Sequence, residues 1–172
     1  MSLTNPTSAD HIAAEAGSFE PQRSNNFSFE VALSGADRDI IVMSLQATTI
    51  PGEKNDEIAL NYQNEVRYVA GKYTVDAGSV TLRDYVDVDT RGAVLRWRLQ
   101  VYDPATGKIG LAKDYKKTAY IVMTAPDGSG VRVAKMKGCW PTGIGAANLS
   151  MEQAGEVLIE VPLRFDKLEW DL

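Results

Sequence analysis

Residues 116–145 read KKTAYIVMTAPDGSGVRVAKMKGCWPTGIG, and the fold turns on how they are read. The first arm, Lys116 to Pro126, is dense in β-branched and aromatic residues, which suit a pleated, half-buried strand. Asp127-Gly128-Ser129-Gly130 follows, residues that tolerate the positive φ of a tight reversal. In the second arm Val131 and Val133 alternate with Arg132, and Lys135 and Lys137 come later. Alternation at period two sets one row on a core and the other in water, so the stretch predicts an antiparallel hairpin. Beyond it, Gly138, Trp140, Pro141 and Thr142 belong to a run with three glycines and a proline, expected to end regular pairing as a structural turn.

Composition bounds the rest. The 172 residues suit one domain large enough for a core, and 44% hydrophobic with 24% charged residues is ordinary for a globular chain. No apolar run is long enough to span a bilayer, and MSLTNPTSAD has neither the basic nor the apolar region of a secretory signal. The single cysteine, Cys139, forbids an intrachain disulfide, which fits a reducing compartment. A net charge of −5 argues against a surface that grips nucleic acid throughout.

Working outward, residues 1–26 are rich in Ser, Asn, Pro and Ala, with one short helical turn at Ala9–Ala16, and predict a polar arm. His11 lies there, where a lone histidine is ordinarily solvated. Phe27, Phe29, Val31 and Leu33 alternate with polar or small neighbours as in a half-buried strand. Gly35-Ala36-Asp37 predicts a turn into a second strand, Arg38–Thr49, and the two are expected to pair. Ile50-Pro51-Gly52-Glu53-Lys54-Asn55-Asp56-Glu57 predicts a polar break, since Pro51 cannot donate to a ladder. Asn61–Ala70 predicts a strand with Val66, Tyr68 and Ala70 on the core and Gln63, Glu65 and Arg67 opposite; a turn at Gly71-Lys72 and short strands at Tyr73–Val75 and Ser79–Arg83 follow. Asp87–Tyr102 fits a strand at period two and a helix at period 3.6, although Asp87, Asp89 and Thr90 suit a helix N-terminus. Glu156–Trp170 predicts a long last strand, with Pro162 at a bulge or edge.

KGCWPTGIGAANLS, followed by a strand ending FDKLEW, resembles the C-terminal half of the tail tube proteins of contractile-tailed bacteriophages. The resemblance continues back through Gln46-Ala47-Thr48-Thr49-Ile50-Pro51 and Val69-Ala70-Gly71 to about Phe27. No motif is diagnostic alone; order and spacing carry it. It implies a helix at about residues 88–102, which decides the ambiguous stretch. The expected fold is then mainly β: about seven strands in an antiparallel sandwich or partly closed barrel with one α-helix, residues 27–172 forming the domain.

Chemistry is scarce. One histidine allows no histidine metal cluster and no Ser-His-Asp set beyond His11, and Cys139 reads as a buried structural thiol. Gly143-Ile144-Gly145 lacks the third glycine and helix of a dinucleotide fingerprint. Asp84, Asp87 and Asp89 lack the spacing of a calcium loop. Lys113, Lys116 and Lys117, with Tyr115 and Tyr120, could stack bases, but a salt bridge to the acidic 53–57 or 84–89 stretch of a neighbouring copy suits the acidic total better. Trp97, Trp140 and Trp170 read as core or interface anchors, and no cofactor is implied.

The resemblance implies a structural protein rather than an enzyme. Six-membered rings would stack into the inner tube of a phage tail, inside a contractile sheath and between baseplate and terminator proteins, and conduct double-stranded DNA without binding it specifically. Localisation would be the virion, after assembly in the host bacterial cytoplasm. On that reading Ser44, Gln46, Thr48, Gln63, Glu65 and Arg67 face the lumen. Ile50, Pro51, Gly52, Glu53, Lys54, Asp56 and Glu57, with Lys113, Lys116 and Lys117, make contacts between copies. The inner tube of a phage-derived injection machine and a monomeric sandwich-type binding module are the alternatives.

Overall fold

The computed structural model describes residues 21–147, 149–152 and 154–171. Elements run β1 (Phe27–Val31), α1 (Ala36–Met43), β2 (Leu45–Thr48), β3 (Glu53–Tyr62), β4 (Glu65–Val75), β5 (Gly78–Arg83), α2 (Thr90–Val101), β6 (Tyr102–Asp103), β7 (Lys108–Ile109), α3 (Ala112–Tyr115), β8 (Lys117–Thr124), β9 (Gly130–Pro141), β10 (Leu158–Arg164) and β11 (Lys167–Asp171).

The hairpin read from residues 116–145 is the spine: β8 and β9 pair antiparallel, Val122 opposite Val133 and Tyr120 opposite Lys135. Its reversal is held by Asp127, whose Oδ1 accepts from the Ser129 amide at 2.9 Å and hydroxyl at 2.7 Å, while Gly128 sits at φ 85°. The second arm does not stop at Gly138 but runs on to Pro141. Opposite Lys117 and Ala119, β9 spends one extra residue between Met136 and Cys139, a bulge with Gly138 at φ 68°. A side chain at Gly138 would also strike the Asp166 carboxylate. Past the bulge, Trp140 and Pro141 leave β8 and pair with Arg164 and Leu163 of β10.

One seven-stranded sheet therefore bends into two leaves at β9, in the order β1-β8-β9-β10-β5-β2, with β11 on the first leaf beside β9. The sheet is not closed: β1 and β2 end it, and two small sheets, β3–β4 and β6–β7, stand apart. The inner faces meet in one core, Phe29, Val31, Ala119, Ile121, Ala134 and Met136 from the first leaf against Val80, Leu82, Ile159, Val161 and Leu163 from the second. Alternating residues of each strand supply it, as period two requires. α2 adds Val94 and Trp97 to that core. Asp89 caps α2, its Oδ1 accepting from the Gly92 amide at 2.9 Å. Outside, Lys137 at 2.8 Å and Lys167 at 2.9 Å hold Glu169, lowering its carboxyl to about 2. The stability this lends is present above the ordinary glutamate range and is lost as pH falls toward 2. A carboxyl titration followed by NMR should find Glu169 still ionised at pH 3, and the Lys137→Met, Lys167→Met double variant should return it to the ordinary range.

Several expectations are corrected. Arg38–Thr49 is not a strand paired with the first; residues 36–43 form α1, and β1 pairs with β8 instead. The β-branched run Ile40-Ile41-Val42 favours a strand locally, but tertiary contacts override it: Ile41 enters the core, and Asp37 accepts from Arg96 of α2 at 2.6 Å. The break at 50–57 shrinks, since β3 begins at Glu53, and Gly71-Lys72 is no turn because β4 runs through it. The stretch Glu156–Trp170 divides into β10 and β11 around Phe165-Asp166. Pro162 lies inside β10, with its missing N–H on the side of its carbonyl. That carbonyl faces the departing chain and accepts from the Thr142 amide at 2.9 Å, so no β5 bond is lost. The described residues hold eleven strands and three helices rather than seven and one; α2 falls where the single helix was expected. His11 and the turn at Ala9–Ala16 lie outside the described residues, as does residues 1–20 of the arm.

Candidate assembly surface

β2 and β5 pair at the base of a ribbon that β3 and β4 continue. Thr49 N donates to Ser79 O at 3.0 Å and Asp76 N to Gly52 O at 2.9 Å, so the ladder spans the kink at Ile50-Pro51. Lys54 lies 3.7 Å from Asp76 across this base, and a Cβ at Gly52 would come 2.9 Å from the Asp76 carboxylate. β3 has ten residues, roughly 30 Å of extended chain, far longer than the five-residue norm.

The register assigns the two faces of this ribbon. Near the base Asn55 pairs with Tyr73, but further out Glu57 pairs with Ala70, so β4 carries an extra residue at Gly71-Lys72. Glycine is required there, because a Cβ at Gly71 would lie 2.9 Å from the Asp56 carbonyl. Val75 packs on the core, and the Tyr73 hydroxyl, raised in pKa chiefly by its hydrogen bond to Glu53 at 2.7 Å, also reaches the Leu168 carbonyl. Their face continues, through the bulge, into Glu57, Ala59, Asn61, Val66, Tyr68 and Ala70. The opposite face carries Lys54, Asp56, Ile58, Leu60, Tyr62, Glu65, Arg67 and Val69.

The sequence reading of Val66, Tyr68 and Ala70 as one row opposite Glu65 and Arg67 agrees with this register, but their place on the chain's own core does not. Val66 is 50% exposed and Tyr68 64%, because the ribbon has passed beyond the core it points toward. Ile58, Leu60, Tyr62 and Val69 on the other face are exposed as well. A two-stranded ribbon is marginal in water by itself, and apolar side chains on both faces mark a surface meant to be covered.

Other expected site residues scatter. Ser44 faces no lumen: it is buried at the C-terminus of α1, its hydroxyl 3.0 Å from that of Thr90. Gln46 is exposed, Thr48 donates to Ser79 O, and Gln63 stands in the turn at the ribbon tip with φ 53°. Glu65 and Arg67 lie 3.7 Å apart. Pro51 is buried, whereas Ile50, Glu53 and Lys54 sit exposed at the ribbon base. Lys116 pairs within its own chain, to Asp166 at 2.7 Å, while Lys113 and Lys117 have no ion pair among the described residues. Trp140 is half-buried, its ring edge-on to Tyr115 with centroids 5.7 Å apart; Trp97 is the buried one.

No group of three or more His, Cys, Asp or Glu among the described residues is placed to hold a metal, and none of their helices is long and apolar enough to cross a membrane. Cys139 is buried in β9, and desolvation pushes its thiol up to about 12. Native protein at pH 8 should resist alkylation for as long as it stays folded, and denaturant should expose one reactive thiol per chain. Fast labelling of the native protein would contradict this burial.

No family model matches the chain. It is 29% identical over 162 residues to tail tube protein gp19 of Enterobacteria phage T4, covering 91% of this chain and 95% of that one. Its likeness is to tail tube proteins. The fold agrees. The sheath–tube complex of an extracellular contractile injection system (PVC) in its extended state contains a chain matching at TM-score 0.69 and 14% identity, over 96% of this chain and 98% of its own. The tube-terminating cap of the anti-feeding prophage matches at TM-score 0.72 and 11% identity, over 99% of both chains.

Proposed function

We propose that this protein is the structural subunit of a contractile phage tail tube. Six copies form a ring, and rings stack into the hollow inner tube of the virion, within a sheath and between baseplate and terminator proteins. DNA passes through the lumen. The subunit acts by assembly and has no catalytic role. The observation that carries this reading is the β3–β4 ribbon, which bears exposed apolar side chains on both faces and is uncovered by its own chain, in a sequence similar to a tail tube protein nearly end to end.

Two further features support it. β1 and β2 leave the sheet open, and ring closure would occupy edges that otherwise invite uncontrolled pairing. The ribbon face bearing Glu65 and Arg67 continues the outward face of the second leaf, which we assign to the lumen side with Gln46 and Gln63; Thr48 stands opposite core-facing Val80 and leaves the set. Ser44 is withdrawn from that set. The fold match to an injection-system tube supports a second reading, the inner tube of such a machine. Electron microscopy of concentrated purified protein tests both against a monomeric module. Hollow tubes with sixfold end views are expected; a sharp monomer at every concentration, also after addition of a baseplate nucleus, would sink both tube readings.

A further inference from the structure

α2 presents an apolar stripe to solvent on the side away from the core. Leu95 and Leu99 stand one turn apart on α2, and with Tyr102, the first residue of β6, and Pro104, Gly143 and Ile144 they line a groove of about 400 Å³; Leu95, Leu99 and Tyr102 are all exposed. Arg98 is the single charged residue of that lining and has no ion pair among the described residues. We propose that this groove receives the core-side face of the β3–β4 ribbon from a copy of the chain in the adjacent ring. The inference rests on the tube reading and names the contact that joins its rings.

The ribbon face supplies what the groove lacks. Val66, Tyr68, Ala59 and Ala70 are apolar and uncovered, and Glu57 at its inner end has no ion pair among the described residues. An unpaired carboxylate thus meets an unpaired guanidinium, while Glu65 and Arg67 on the opposite face already lie near each other. Spacing matches too: Leu95 and Leu99 are about 6 Å apart along the helix, and Val66 and Tyr68 about 7 Å apart along the strand. Ribbon and groove are different patches on one chain, so each copy gives one contact and takes one. Such a heterologous contact does not close on itself as a pair but propagates, as stacking requires.

The test reads the critical concentration for tube assembly, with thermal unfolding as the control for folding. Arg98→Glu and Glu57→Arg should each raise it roughly tenfold by placing like charges together, and the double variant should restore it to near wild type. A single variant without effect, or a double variant no better than the worse single, would overturn the contact. Independently, tubes of a Tyr68→Cys, Leu99→Cys variant should cross-link on oxidation into a ladder of covalent oligomers, with either single variant as control. Well-formed tubes that remain monomeric on a non-reducing gel would overturn the contact and leave the tube reading standing. Failure of the wild-type chain to assemble at all would instead remove the tube reading, and this inference with it.

Discussion

A chain in which Asp56–Lys72 is replaced by a two-residue Asn-Gly turn folds normally and forms no tubes. Asn55 and Tyr73 are directly paired, so a two-residue turn can join them without moving either strand. The replacement keeps Val75 on the core and Tyr73 on Glu53 and the Leu168 carbonyl. All that leaves is ribbon beyond the core, exposed on both faces except for half-buried Gly71. Removing it takes away apolar area that its own chain leaves uncovered, so the loss should fall on assembly. Sedimentation should show monomer at concentrations where the wild type gives tubes, with the unfolding midpoint nearly unchanged. Tubes of ordinary appearance from the shortened chain would show that stacking rests elsewhere.

Trp97→Ala has the largest expected effect on the fold. The ring is 2% exposed in the core on α2, and its Nε1 donates to the Tyr115 carbonyl at 3.0 Å, tying α2 to the α3 turn. Truncation opens a cavity and strands that carbonyl, for a cost of about 3–5 kcal/mol and a fall in Tm of roughly 6–20 °C. Trp97→Phe keeps most of the apolar contact and loses the donor, so it should fall between. Trp140→Ala should cost less, since that half-buried ring packs chiefly edge-on against Tyr115. A shift for Trp97→Ala worth less than 1 kcal/mol would mean that α2 is not anchored there.

The elements legible in the sequence were those whose local signals agreed. Strand composition, a Gly-rich reversal and alternation all pointed to β8 and β9. Capping acids and family resemblance together placed α2, and Asp89 caps it. Where local and tertiary preferences conflicted, the reading failed: a β-branched run in α1 became helical because Ile41 had a core to enter and Asp37 had Arg96 to bind.

Alternation by itself determined that Val66, Tyr68 and Ala70 share a row opposite Glu65 and Arg67, because side-chain direction follows from the pleat at each residue. Composition likewise settled that the chain has one histidine and one cysteine. That the chain's own core leaves that row uncovered only the tertiary structure decided. Period two reports which residues lie on one face, but not how far the core beneath that face extends. Here the core ends near Val75 while the strands run on, and the extra residue at Gly71-Lys72 sets the phase between inner and outer halves. The fate of the β9 bulge was equally tertiary. Gly138 reads locally as a stop, yet β10 waits beside Trp140 and Pro141, and pairing with it carries the strand from one leaf into the other.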